Sequence, residues 1–115
     1  MSWVNMDDQF PDHKKVAGLS DGAFRLHVAG ICYCARHLTD GLIVAEEVPR
    51  LVRKYRKSSL DELIERGIWK AATIECAPVE YEIHDYLQWN DSRETVLERR
   101  ERAKDRAKKS RSDVQ

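Results

Sequence analysis

The chain has few of the features that mark secreted or membrane-spanning proteins. Its cysteines are three, Cys32, Cys34 and Cys76, an odd number that offers no paired disulfide framework and indicates a reducing compartment. No stretch reaches the roughly 18 apolar residues that a membrane-spanning helix needs. Residues 1–12 carry acids where a signal peptide carries a basic and then an apolar run. The sequence therefore predicts a soluble, cytoplasmic protein.

Motifs for catalysis are also missing. The chain has neither a Gly-rich phosphate-binding loop nor a nucleophile motif. Cys32, Cys34 and His37 lie close in the sequence, but residues two apart on a helix point roughly 200° from each other, which prevents a shared tetrahedral metal site. His84 and Asp85 are neighbours on a predicted strand and so face opposite sides. We therefore predict no catalytic residue, no metal site and no cofactor, and we expect that the protein is not an enzyme.

An excess of one charge is absent as well. The chain has 20 basic and 20 acidic residues, whereas a dedicated nucleic-acid binder is usually basic overall. The charges are nevertheless unevenly spread, because residues 91–115 hold nine Lys or Arg against six Asp or Glu, a net charge of +3. A chain of 115 residues has room for one domain. We predict a folded domain over residues 1–90 and a charged C-terminal helix or tail over residues 91–115.

The region from Glu46 to Asn90 has the element order of a winged helix-turn-helix, an α+β fold. The predicted elements are a helix over Ala45–Tyr55, a helix over Leu60–Arg66, a strand over Ile68–Ala72, a wing over Thr73–Pro78 and a strand over Val79–Leu87. Ser59 and Glu62 have the spacing of a capping box for the second helix, and Gly67 is expected to end it. The last strand alternates, and its inner row is predicted to hold Val79, Tyr81, Ile83 and Leu87, with Asp85 as the exception in that row.

The region before Glu46 predicts further helices. Ser2–Met6 is interpreted as an edge strand or an ordered arm, and Asp12 is expected to cap a short helix over His13–Leu19. Ser20 is expected to cap a longer helix over Asp21–Leu38, which Gly41 ends by taking the left-handed conformation. A brief strand, Leu42–Val44, follows. The apolar stripe of the long helix is predicted at Phe24, Val28, Ile31, Ala35 and Leu38, widened by Leu26, Cys32 and Cys34.

Several sequence blocks resemble a known group of proteins. The blocks are Trp3-Val4, the run DDQFPDHKK at residues 7–15 with Leu19, the run CYCARHLTDG at residues 32–41, Gly67-Ile68-Trp69, YEIHDYL at residues 81–87 and WNDSR at residues 89–93. Together they are similar to small actinobacterial and bacteriophage proteins related to phage replisome organisers and to the N-terminal domain of DnaD-like replication initiators. The resemblance covers most of residues 3–93. It implies a winged-helix fold, a bacterial host cell, and a role in phage DNA replication or its control.

The leading functional hypothesis is DNA binding, in replication or transcription control, with double-stranded DNA as the partner. The basic stretch, the wing and the tail would contact the phosphate backbone, which gives salt-dependent affinity but does not specify a sequence. The candidate nucleic-acid-binding residues are Arg50, Arg53, Lys54, Arg56, Lys57, Arg66, Arg99, Arg100, Arg102, Lys104, Arg106, Lys108 and Lys109.

A protein-interaction module is the alternative hypothesis. In a helix-turn-helix the second helix contacts base edges through its N-terminal end, yet this helix exposes Asp61, Glu62 and Glu65, which repel a duplex. These acids would instead dock a replication or host protein, and the charged tail would drive self-association or partner binding. Trp3, Trp69 and Trp89 are interpreted as packing residues rather than base-stacking platforms.

Overall fold

The structure is a computed structural model that describes residues 3–4, 6–84, 86–90 and 92–112, without the side chains of residues 88, 89 and 110–112. The α-helices are α1 Lys14–Ala17, α2 Asp21–His37, α3 Lys57–Glu65, α4 Tyr86–Trp89 and α5 Arg93–Ser112; the strands are β1 Leu42–Val44, β2 Trp69–Ile74 and β3 Ala77–Ile83. Two 3-10 helices, Phe10–Asp12 and Ala45–Arg50, also lie in the described residues. The predicted α+β class is confirmed, and this order is compatible with a winged-helix-like fold.

The three strands form one antiparallel sheet in the order β1-β3-β2. Ile43 of β1 lies opposite Tyr81 of β3, and Trp69 of β2 lies opposite Ile83 of β3. All four of these side chains are buried, while the alternate positions of β1 are exposed, as the two-residue period of a strand requires. One face of the sheet therefore covers the core.

Helix α2 covers that face. Its buried residues follow the helical spacing of three and four: Ala23, Leu26, His27, Gly30, Ile31 and Cys34. At Gly30 an added Cβ atom would lie 2.5 Å from Cζ2 of Trp69, so only glycine allows Trp69 to pack this closely on α2. Leu60 and Leu63 of α3 complete the core cluster.

The predicted apolar stripe of α2 is therefore out of phase with the observed one. Ile31 is buried, but Phe24, Val28, Ala35 and Leu38 are only half-buried, and Cys32 is exposed. The Ser20 cap is confirmed, because its Oγ accepts a hydrogen bond from the Ala23 N–H at 3.3 Å. The left-handed C-cap is not Gly41, as predicted, but Leu38, with φ 54°. Gly41 has φ 92° within the turn that leads into β1.

The helices before β2 also differ from their predicted bounds. The segment Ala45–Tyr55 was predicted as one helix, but it forms the 3-10 helix Ala45–Arg50 followed by a turn. Helix α3 begins at Lys57 rather than Leu60, so Ser59 lies within the helix and the predicted capping box is wrong. Gly67 does end the helix, with φ 72°, and the Ile68 N–H donates to the Leu63 carbonyl at 3.0 Å.

The wing is shorter than predicted. The strands continue through most of Thr73–Pro78 and are joined by a two-residue turn, Glu75-Cys76, with φ values of 52° and 65°. Such positive φ values are those that a tight hairpin turn of type I′ requires. Beyond β3, Leu87 lies on α4 and is exposed, so it does not extend the inner row of the strand. The expectation for Asp85 lies outside the described residues.

The N-terminal predictions are wrong in two respects. His13, not Asp12, occupies the N-cap position of α1, and no side chain caps this helix. Trp3 and Val4 have no regular secondary structure, and Trp3 is 83% exposed rather than packed. Trp69, by contrast, is buried as predicted. The rest of the predicted arm, Ser2 and Asn5, and the side chain of Trp89 lie outside the described residues.

Helix α5 confirms the predicted charged helix. Ser92 caps this helix, because its Oγ accepts a hydrogen bond from the Thr95 N–H at 3.2 Å. Asp40 Oδ1 accepts from the Arg93 N–H at 2.6 Å, which ties the first turn of α5 to the turn before β1. All residues from 97 to 109 are exposed. At 1.5 Å per residue, α5 is about 30 Å long.

Candidate nucleic-acid interface

The basic stretch lies at the entrance to α3. Arg50 ends the 3-10 helix, Arg53 and Lys54 lie in the turn, Arg56 is the N-cap residue of α3, and Lys57 is its first residue. All five side chains are exposed. Arg50 Nη1 lies 3.8 Å from Glu47 Oε1, a solvent-exposed pair that contributes little to stability. The five predicted cations therefore lie in the eight-residue segment that leads into α3, with Arg56 and Lys57 at the N-terminus of that helix.

The same end of α3 has the polarity that attracts anions. No side chain caps the helix, and no acid lies in its first turn. The backbone N–H groups of a helix N-terminus carry a partial positive charge and are not used within the helix. Because α3 begins one turn earlier than predicted, the acids Asp61 and Glu65 lie beyond its first turn. The predicted position of these acids at the N-terminal end of the helix is therefore wrong.

One of the three candidate partner-binding acids, Glu62, forms a hydrogen bond within the protein. Glu62 Oε2 accepts from the Ser20 N–H at 2.8 Å, so it links α3 to the N-terminus of α2. Asp61 is exposed, and its carboxylate adds to the burial that raises the pKa of Tyr55 and of Tyr81. Glu65 is exposed near the C-terminal end of α3. The three acids therefore do not form one open docking surface.

Arg66 is separated from the other predicted cations. It is the C-cap residue of α3, about 13 Å along the helix axis from Lys57. Its guanidinium lies against Gly18 at the end of α1, where an added Cβ atom would meet Nη1. The structure therefore places Arg66 at the opposite end of α3 from the basic stretch.

Helix α5 separates its charges into stripes. Its acids recur at intervals of four, three and four residues, and so share one side of the helix: Glu94, Glu98, Glu101 and Asp105. Val96, Ala103 and Ala107 lie on the opposite side, flanked by cations. The exposed cations of α5 are Arg93, Arg99, Arg100, Arg102, Lys104, Arg106, Lys108 and Lys109. Glu98 Oε2 lies 3.9 Å from Arg102 Nη2, an exposed i,i+4 ion pair.

The wing has a different character from the basic stretch. Lys70 is the one cation between Trp69 and Ile83, against the acids Glu75, Glu80 and Glu82. Ile74, next to the turn, is 64% exposed. The described wing is therefore acidic and apolar, which does not suit contact with phosphates.

The cysteine and histidine side chains do not assemble a metal site. Cys32 is exposed and Cys34 is buried, as residues two apart on one helix are expected to differ. Burial raises the pKa of the Cys34 thiol to about 11, so it stays protonated. Within residues 3–4, 6–84, 86–90 and 92–112, no group of three or more His, Cys, Asp or Glu is positioned to hold a metal ion.

His27 was not singled out from the sequence. It lies on the buried face of α2, and its Nδ1 accepts a hydrogen bond from Trp69 Nε1–H at 2.9 Å. Its ring stacks on Phe10 at a centroid distance of 5.7 Å. Burial lowers its pKa to about 4. The signal was present in the spacing, because His27 lies four residues after Ala23 and four before Ile31, both of which are buried.

Comparisons with protein-family models, with curated proteins and with solved structures found no match. Among the helices of the described residues, none combines the length and the apolar character that crossing a bilayer demands.

Proposed function

We propose that this protein is a winged-helix DNA-binding protein that contacts the phosphate backbone through the basic stretch and α5. In this assignment α2, the 3-10 helix Ala45–Arg50 and α3 are the three helices of the fold, and β2 and β3 form the wing. The observation that carries the proposal is the group of five exposed cations in the segment that leads into the uncapped N-terminus of α3. In helix-turn-helix proteins this end of the second helix enters the major groove.

The charges of α3 favour binding with little sequence preference. Arg56 and Lys57 lie where they can reach phosphates, which positions a protein without reading bases. Further along the helix, Asp61 and Glu65 face solvent and would repel phosphates. The proposed complex is therefore held by charge and geometry, and its affinity falls steeply with salt.

Helix α5 supports the same proposal. A polyanion that approaches the side of Val96, Ala103 and Ala107 meets cations on both flanks, while the acidic stripe points away from it. The resemblance noted above adds the biological setting, a phage or prophage protein acting in replication or transcription control in the cytoplasm of a bacterial host.

A second candidate function, a protein-interaction module, rests on the wing rather than on the acids of α3. The exposed Ile74 and the surrounding acids form a surface that suits a protein partner better than it suits DNA. In this version the protein binds a replication or host protein, or a second copy of itself, and has no DNA affinity of its own.

The deciding experiment is fluorescence anisotropy of a labelled random-sequence duplex across a salt series. Lys54→Glu is expected to weaken binding and to reduce the log–log salt slope by about 1 for each lost phosphate contact. Arg66→Glu is the matched control, since it makes the same charge change at the other end of α3 and should leave the slope unchanged.

A chain that ends at Asn90 tests the contribution of α5. Binding that persists with a lower slope assigns part of the contact to α5. Absence of binding by the full chain at low salt would reject the DNA proposal and leave the wing-mediated interaction, which an Ile74→Asp variant then tests by loss of partner or self-association.

A further inference from the structure

A cavity lies between the N-terminal part of the described chain and the core. It has a volume of about 380 Å³, is open to solvent on one side, and is lined by the segment leading into α1, by α1, by α2, by the sheet and by α4. Its walls are mainly apolar, with Phe10, Val16, Ile31, Ile68 and Ile83 among the lining residues. This volume falls within the range of small-molecule sites, which extends from about 300 to 1,000 Å³.

His27 supplies a polar group in this apolar wall. The side chain is 5% exposed and lines the cavity. Trp69 Nε1 can only donate, so Nδ1 of His27 must be the acceptor in the bond between them, and the neutral ring carries its proton on Nε2.

The Nε2–H donor has no hydrogen-bond partner among the described residues. His27 Nε2 is not fully buried. Among the described residues, the one fully buried side-chain polar atom without a hydrogen-bond partner is Thr39 Oγ1, so the unpartnered Nε2 atom must be accessible from the cavity. Trp69 holds the opposite edge of the ring and is not part of the cavity wall. The fold thus presents a fixed, oriented donor to an apolar space.

We propose that this cavity binds a small, neutral, aromatic molecule whose carbonyl or similar acceptor bonds to His27 Nε2–H. The apolar walls favour a ring, and the buried donor of His27 favours an acceptor at one end of it. The other polar residues of the lining, among them Lys14, Lys15 and His84, are exposed and lie towards solvent.

A charged group is disfavoured beside His27, because burying an ion against the apolar walls carries a large desolvation cost that a neutral imidazole does not offset. Lys14 and Lys15 also line the cavity, but both are exposed and do not compensate a charge at that depth. The carboxylate of Asp7 at the rim is already engaged within the protein, because it accepts a hydrogen bond from the Gln9 N–H and lies 3.8 Å from His13 Nε2.

The test compares two probes of the same shape, acetophenone and α-methylstyrene. The second differs from the first in having a methylene group in place of the carbonyl oxygen, so it cannot accept a hydrogen bond there. Each is titrated into the full chain at millimolar concentration and followed by two-dimensional NMR. Acetophenone is expected to shift the indole N–H signal of Trp69 and the amide signals of Ile68 and Ile83, and to bind roughly tenfold more tightly than α-methylstyrene.

The variant His27→Phe removes the donor and keeps a ring of similar size. In this variant the two probes are expected to bind equally. Equal affinity in the wild-type protein would overturn the proposal, and that comparison does not depend on whether the variant folds. Tighter binding of benzoate than of acetophenone, shifts confined to another part of the chain, or no shifts at all would also overturn it.

Discussion

Helices α2 and α5 are of similar length, 17 and 20 residues, but they are held in different ways. Helix α2 buries a continuous row of residues against the sheet and α3. Helix α5 has no buried residue among its described side chains, and an isolated helix of this length is only marginally stable in water. Helix α2 is therefore stabilised mainly by packing against the core, whereas α5 is stabilised mainly by local charge pairs and by its N-cap.

The largest expected contrast comes from a leucine in each helix. Leu26 of α2 is fully buried, whereas Leu97 of α5 is 41% exposed. We expect Leu26→Ala to lower the free energy of unfolding by roughly 3–5 kcal/mol, because it leaves a cavity in the core. Leu97→Ala should change it by less than about 0.5 kcal/mol. Urea denaturation of both variants measures the difference, and a comparable loss in the two would show that α5 is packed after all.

A second test uses the titration of His27 in the middle of α2. Burial lowers its folded-state pKa from 6.5 to about 4, so the unfolded chain binds the proton more readily. The contribution of neutral His27 to the free energy of unfolding is therefore full above about pH 6.5. This free energy decreases by about 3 kcal/mol in total as the pH falls from 6.5 to 4. Chemical denaturation across this range measures it. The variant His27→Gln keeps an acceptor for Trp69 and should lack this part of the pH dependence.

The third test reverses the usual rule that alanine is better than glycine in a helix. Gly30→Ala places a methyl group 2.5 Å from Trp69 Cζ2, and we expect a net loss of about 1–2 kcal/mol despite the better helix propensity. Gly22→Ala is the matched control, since its Cβ atom would meet the Ser59 hydroxyl, which can rotate. Thermal unfolding of the two variants should differ by several degrees; equal midpoints would refute the close contact.

The smallest contrast concerns the two serine caps. Ser20→Ala removes the cap of α2 and should lower the free energy of global unfolding by about 1 kcal/mol. Ser92→Ala removes a similar cap from α5 and should leave global unfolding unchanged, while hydrogen exchange becomes faster in the first turn of α5. Cooperative unfolding of α5 with the core would contradict this expectation.

The elements that the sequence predicts well are those with a strong local signal. The Ser20 cap, the termination of α3 at Gly67 and the brief strand Leu42–Val44 all follow from local residue chemistry. The alternation in β3 also placed Tyr81 and Ile83 on the buried face correctly, whereas Val79, predicted on the same face, is exposed. Such features depend on neighbours within a few residues, which the sequence shows directly.

The errors arise where distant residues decide the outcome. The stripe of α2 was misphased because His27 and Gly30 are buried only through their contacts with Trp69, which is about 40 residues away in the chain. Glu62 has the spacing of a local capping box, yet it serves the N-terminus of another helix. The five cations before α3 were identified, but their position at the start of the helix depended on its first residue, which the apolar pattern placed too late.

The two-residue turn of the wing has a consequence for protein engineering. Glu75 and Cys76 both adopt positive φ values, a conformation that costs a residue with a side chain roughly 1–2 kcal/mol and that glycine and asparagine adopt more easily. Replacing the pair by Asn-Gly should therefore raise the melting temperature without any change in the core. The same replacement removes one of the two exposed thiols, Cys76, and so leaves Cys32 as the one exposed thiol through which two copies could become cross-linked on oxidation.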